Sequence, residues 1–118
     1  MGTVIAVTSG KGGTGKTTVT GGVASCLAQL GRKVLCIDMD IGLRNLDISL
    51  GLSDRALMDF ADVALGNCSL ERAAVAHPEL PGLFLLTSPM RLPREITPGR
   101  IRALLRAARP NYDYILID

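Results

Sequence analysis

Apolar residues along this chain follow two patterns. Four runs are short and unbroken: TVIAVTS at residues 3–9, KVLCID at 33–38, GLFLLTS at 82–88 and YDYILID at 112–118. Runs of this length predict strands, and those at 3–9 and 82–88 suit strands covered on both faces. Between the first two runs the spacing becomes helical. Val19, Val23, Cys26, Leu27 and Leu30 stand at offsets 0, 4, 7, 8 and 11, which predicts one apolar helix stripe, with Gly31 as its stop. Gly21 and Gly22 interrupt that helix at a cost of about 1 kcal/mol each relative to alanine, and close packing of the helix on the sheet is the expected reason.

Further along, residues 39–52 show no period and read as irregular. Short helices are expected over 56–65 and 70–76, the second capped by Ser69 with Glu71 in its first turn. After a loop, Thr97 caps a helix whose first residue is Pro98. Ile101, Leu104, Leu105 and Ala108 share one face of it, and Arg102, Arg106 and Arg109 share another, read as a solvated face. Strand, helix and strand in this order make a βαβ unit with a right-handed crossover and parallel strands. One α/β domain is expected over residues 1–118.

Composition narrows the function classes. Hydrophobic residues make up 47% of the 118, which excludes a disordered chain and allows a modest core. Aromatic residues are only 3%, too few for a base-stacking surface, and a net charge of +2 is no nucleic-acid footprint. Cys26, Cys36 and Cys68 are widely spaced and accompany a single histidine, His77. That set fits neither a disulfide framework nor a zinc site, and all three are expected as buried thiols in a reducing, cytoplasmic setting. No apolar run approaches the roughly 20 residues of a membrane span.

The segment TSGKGGTGKTT, residues 8–18, carries the chemistry. Gly10, Gly15, Lys16 and Thr17 match G-x-x-x-x-G-K-[ST] between a predicted strand and a predicted helix. Gly10, Gly12, Gly13 and Gly15 free the backbone to turn its N–H groups inward around phosphate oxygens. The helix N-terminus adds partial positive charge. Lys16 brings a full charge to the β- and γ-phosphates, and the Thr17 hydroxyl suits Mg²⁺. Parallel strands bring their C-terminal ends to one sheet edge, where ligands bind. Asp38 and Asp118 end two such strands, Asp118 in the form of a Walker B strand, and Asp40 lies two residues beyond Asp38. The fold class expected is therefore a parallel-sheet P-loop NTPase, Rossmann-like with three layers, of which this chain is the N-terminal part.

KGGTGKTT, with its additional Lys11, resembles the deviant Walker A loop of the MinD/ParA family of ATPases. DMDIGLRNLDISLGL, residues 38–52, resembles the septum-site branch of that family. The resemblance implies ATP and Mg²⁺ as cofactors and a nucleotide-dependent homodimer. In it Lys16 would act on the subunit's own nucleotide, and Lys11 would reach across to the partner's. It further implies that Asp40 orients or activates the attacking water and that Asp38, Asp118 and Thr17 hold Mg²⁺. Gly10, Lys11, Gly12, Gly13, Thr14, Gly15, Lys16, Thr17 and Thr18 would bind nucleotide, Thr18 at the α-phosphate. Asn45 would lie in a switch segment near the γ-phosphate, and Arg44 and Asp47 belong to that segment without an assigned role. The implied function is control of division-site placement with MinC-like and MinE-like regulators. The protein would be cytoplasmic and would reach the inner face of the membrane through a C-terminal helix absent from these residues. The alternatives are a ParA-type DNA-partition or flagellum-positioning ATPase, or a nucleotide-binding fragment without hydrolysis. Family members are about twice as long, so a chain truncated after Walker B, with an interior strand left as an edge, is expected.

Overall fold

A computed structural model describes residues 1–8, 15–42, 45–52 and 58–118, with the backbone alone at Asn45. Each unbroken apolar run becomes a strand: β1 (Thr3–Ala6), β2 (Val34–Ile37), β4 (Leu83–Leu86) and β5 (Tyr114–Ile117), joined by a short β3 (Val75–Ala76). The sheet runs β1-β5-β2-β4-β3. All its pairings are parallel except β3 on β4, which is antiparallel.

Alternate residues of the three central strands feed two apolar layers. Leu35, Ile37, Leu86 and Ile115 face α3 (Phe60–Ala64) and α5 (Pro98–Ala108), packing with Phe60, Leu104 and Ala108. Val34, Cys36, Leu83, Leu85 and Leu116 face α1 (Lys16–Gln29) and α2 (Asn45–Ser49), packing with Ala24, Ala28 and Leu46. No described helix is long and apolar enough to cross a membrane.

Four features of the elements depart from the sequence expectations, and the burial of the cysteines departs as well. First, β1 is exposed along its whole length, with Val4 and Ile5 each 37% accessible. Among the described residues it has β5 as its one neighbour and forms an edge of the sheet, in line with the expectation of a strand left as an edge but not with that of a strand covered on both faces.

Second, α1 turns most of its larger apolar residues outward, Leu27 alone of the expected stripe packing partly against the core. Val19 is 55% exposed and Leu30 75%, and Val23 and Cys26 are exposed too. The buried face is Thr20, Gly21, Ala24 and Ala28. It lies one residue on from Val19 and Val23, roughly 100° around the helix. Small residues at that spacing let the helix axis sit close to the sheet. The glycines divide accordingly. A Cβ at Gly21 would lie 3.4 Å from Ser49 Oγ and 3.5 Å from Leu50 Cδ2, so Gly21 makes room for the α2 segment and not for the sheet, while a Cβ at Gly22 meets nothing within 4 Å.

Third, the helix expected over 70–76 is shorter. Its cap forms as predicted, Ser69 Oγ accepting from the Arg72 N–H at 3.3 Å, but α4 ends at Ala73. Ala74 is extended and Val75–Ala76 pair with β4, because the open ladder of β4 competes successfully with one more helical turn. The expected 56–65 helix appears as Phe60–Ala64 behind an Asp59/Asp62 capping box, residues 56 and 57 lying outside those described. Fourth, the aperiodic stretch at 39–52 contains α2.

The stop at Gly31 forms as expected. With φ at +84°, it lets its own N–H reach Ala28 O at 3.0 Å and the Arg32 N–H reach Leu27 O at 3.1 Å, the reciprocal pair of a Schellman turn. Thr97 caps α5 as expected, accepting from the Arg100 N–H at 3.2 Å. Arg102, Arg106 and Arg109 lie exposed on that helix and the turn after it, Arg109 Nε donating to Gly2 O at 2.9 Å.

The expectation of three buried thiols holds for Cys36 alone: Cys68 is half-buried and Cys26, on the outward side of α1, is exposed. Burial, and secondarily the charge of Asp118, pushes the Cys36 thiol up to about 12. In the native protein a thiol reagent at pH 8 should therefore modify Cys26 rapidly and Cys36 only on unfolding. Peptide mapping of the labelled protein checks this, and fast native labelling of Cys36 would contradict the packing. Substitution tests the α1 face. Gly22→Ala should stabilise the fold by about 0.5–1 kcal/mol, and Ala24→Leu should destabilise it by about 1–3 kcal/mol, both read from urea unfolding.

Candidate functional site

The site is built where β2 and β5 end. These strands are parallel neighbours in register, Ile37 opposite Ile117, so the next residues, Asp38 and Asp118, emerge side by side at the C-terminal edge of the sheet. Backbone bonds fix both. The Asp118 N–H donates to Ile37 O at 2.9 Å, the Asp38 N–H to Leu86 O at 3.0 Å, and the Met39 N–H to Asp118 O at 2.9 Å.

Asp38 is 1% exposed and its two oxygens hold the chain that follows. Oδ1 accepts from the Asp40 N–H at 3.0 Å and Oδ2 from the Leu46 N–H at 3.3 Å. Burial raises its pKa above the ordinary carboxylate value. The two N–H donors oppose that rise, and the charges of Asp118 and Asp40 add to it. Asp40, on the turn so formed, is partly exposed, and its carbonyl accepts from Ser88 Oγ at 3.1 Å.

The N-terminus of α1 points into this edge. Gly15, with φ at +84°, turns the chain into the helix at Lys16, and the first turn carries no acidic residue to neutralise the unpaired N–H groups. Lys16 Nζ lies 3.2 Å from Asp40 Oδ2 and 3.6 Å from Asp118 Oδ1. Burial is the largest single influence on this lysine and pulls its pKa down, but the hydrogen bonds and charges of Asp40 and Asp118 together outweigh it and hold the ammonium above its ordinary value. Asp118 has a fully buried side chain. Its Oδ2 accepts from Thr17 Oγ1 at 3.0 Å and its Oδ1 from Thr20 Oγ1 at 2.9 Å.

One carboxylate oxygen from each of Asp38, Asp40 and Asp118 falls within 4.8 Å of the others. With the Thr17 hydroxyl beside them, the donors are all hard oxygens, which fits Mg²⁺ and not a soft metal. Three carboxylates facing one ammonium also leave an excess of negative charge that a divalent cation would balance.

The structure thus brings together Lys16, Thr17, Asp38, Asp40 and Asp118. Thr18 lies exposed on the first turn of α1, and Asn45 opens α2. Gly10, Lys11, Gly12, Gly13 and Thr14 lie outside the described residues, as does Arg44. Sequence reasoning missed Thr20 and Ser88. Thr20 stands three residues after Thr17 and four after Lys16, a spacing that puts all three on one side of a helix and could have indicated it. Ser88, two residues past β4, carries no comparable signal.

Replacing Asp38 by alanine should cost about 1–3 kcal/mol in urea unfolding, since the buried Leu46 N–H and the part-buried Asp40 N–H lose their acceptor. Amide exchange at Asp40 and Leu46 should quicken more than exchange within β2. Unchanged exchange at both amides would remove Asp38 as the organiser of that turn.

A family model described as AAA domain matches residues 2–118. The chain is 48% identical over 119 aligned residues to the septum site-determining protein MinD of Thermotoga maritima, covering 100% of this chain and 44% of that protein. Among solved structures, the MinC:MinD cell division protein complex of Aquifex aeolicus superposes with a TM-score of 0.86 at 44% identity, over 98% of this chain and 46% of that one. MinD complexed with Mg-ADP from Pyrococcus horikoshii superposes with a TM-score of 0.81 at 34% identity, over 100% of this chain and 49% of its own. The chain therefore spans less than half the length of these relatives.

Proposed function

The chain belongs to the AAA-domain family, and from that premise we propose that it supplies the phosphate- and Mg²⁺-binding part of a MinD-type ATPase that helps to place the division site. The observation that carries this reading is the convergence of Lys16, Thr17, Asp38, Asp40 and Asp118 where α1 begins and β2 and β5 end. The Mg-ADP bound to the Pyrococcus relative supports the choice of ligand.

In this reading Lys16 exchanges Asp40 and Asp118 for phosphate oxygens when nucleotide enters. The exchange frees both carboxylates. Thr17, Asp38 and Asp118 would hold Mg²⁺, which when bound offsets the charge of the polyphosphate. Asp40, partly exposed on a turn pinned by Asp38, is left to orient a water through its carboxylate. Gly10, Lys11, Gly12, Gly13, Thr14 and Gly15 would wrap the phosphates, Thr18 would meet the α-phosphate, and Asn45 would sit near the γ-phosphate. Lys11 would act across a homodimer interface, where an ammonium from each subunit neutralises the same polyanion in a site closed to water. The similarity to a MinC:MinD complex supports a MinC-like partner, and the family resemblance adds a MinE-like one and attachment to the inner face of the cell membrane.

Titration with a fluorescent ADP analogue in Mg²⁺ tests the site directly. Lys16→Ala should weaken binding by about 10- to 100-fold, the equivalent of a charge-assisted hydrogen bond. Wild-type binding that is absent, or unaffected by Lys16→Ala, would overturn the assignment. In a MinD-type ATPase of full family length carrying this segment, Lys11→Ala should impair dimerisation and turnover while sparing nucleotide binding by the monomer, and size measurement with and without ATP reads this.

A further inference from the structure

We propose that Thr20 is a positioning residue for Asp118. Its hydroxyl anchors one carboxylate oxygen, so that the other is the one presented to Thr17. The inference rests on the reading of this edge as a Mg²⁺–nucleotide site and extends it to a residue outside the loop motif.

Thr20 is 0% exposed on the second turn of α1. Its Oγ1 lies 2.9 Å from Lys16 O and 2.9 Å from Asp118 Oδ1. Contact with the carbonyl one turn back selects the side-chain rotamer, a choice that threonine in a helix otherwise splits between two. The hydroxyl has one proton for two acceptors, and the ionised carboxylate, the stronger acceptor, takes the larger share of a three-centre bond.

The partners of Asp118 differ in what else they do. Lys16 and Thr17 both reach its carboxylate, at 3.6 and 3.0 Å, but in the proposed function both turn to nucleotide and metal. Thr20 lies beneath the helix surface, too deep to meet a ligand, and keeps its bond to Oδ1 throughout. Without it, a fully buried carboxylate would be free to rotate about its Cβ–Cγ bond once Lys16 and Thr17 had left. Its angle would then have to be fixed at the moment of metal binding. A preset angle makes that step cheaper, as supporting hydrogen bonds behind metal ligands do generally.

The test compares wild type, Thr20→Val and Thr20→Ser, each checked for folding by thermal unfolding. A fluorescent ADP analogue is titrated in EDTA and across a Mg²⁺ series. Thr20→Val keeps the shape and removes the hydroxyl. Its affinity in EDTA should stay within about twofold of wild type, while the Mg²⁺ concentration giving half of the metal-dependent gain should rise about tenfold, roughly the effect of one lost hydrogen bond to a charged group. Thr20→Ser should restore the wild-type Mg²⁺ dependence. The inference is overturned if Thr20→Val retains that dependence, if it loses affinity equally with and without metal, or if Thr20→Ser behaves like Thr20→Val. Should Thr20→Val fail to fold, Thr20→Ala against Thr20→Ser makes the same comparison with less crowding. A wild type that binds the analogue without any Mg²⁺ gain would overturn the metal-site reading itself and this inference with it, an outcome distinct from a gain that survives in Thr20→Val.

Discussion

The parallel pairing of β2 with β5 is the constraint on which the rest depends. In-register pairing brings Asp38 and Asp118 to one edge at one level, and a shift of one residue would send them to opposite faces. Two buried carboxylates side by side repel one another, and the raised pKa of Asp38 records both its burial and that repulsion. The fold tolerates the pair because every oxygen is met. Two backbone N–H groups serve Asp38, two threonine hydroxyls serve Asp118, and Lys16 lies between Asp118 and Asp40. Satisfying those groups in turn dictates local structure: the tight turn at Asp40, the start of α2, and the depth at which α1 crosses the sheet.

That depth explains why the apolar stripe of α1 misleads while the runs of the central strands do not. An unbroken run such as VLCI can be buried on both faces only inside a covered sheet, so its period and its place agree. A helix stripe reports which residues are apolar, not how near the helix axis must come. Thr20 has to reach Asp118, so the close face is the one carrying Thr20, Ala24 and Ala28, and Val19, Val23 and Leu30 turn outward. β1 misleads for a related reason. TVIA looks like an interior strand, yet whether it is covered depends on what lies beyond it and not on its own residues. The break at Ala74 was equally invisible, because it is decided by a free ladder on β4 supplied from further along the chain.

At the site itself, the legible part was whatever is fixed by motif or by strand ends: Lys16 and Thr17 from the loop, Asp38 and Asp118 from the last residues of apolar runs, Asp40 from its distance to Asp38. The illegible part was the support behind them. Thr20 and Ser88 act through one hydroxyl each on a partner 98 and 48 residues away. Only the folded arrangement of strands makes those separations short.

The ion pairs of Lys16 have a consequence for ligand exchange. Under the proposed function, an ammonium already engaged by Asp40 and Asp118 would have to give them up before serving a polyanion, and occupancy would be weaker than the bare charge would produce. The same carboxylates wait nearby when the ligand departs, and the lysine never has to face that departure alone. Under the proposed function such internal competition trades affinity for easier release, which suits a site that empties over one that retains what it captures.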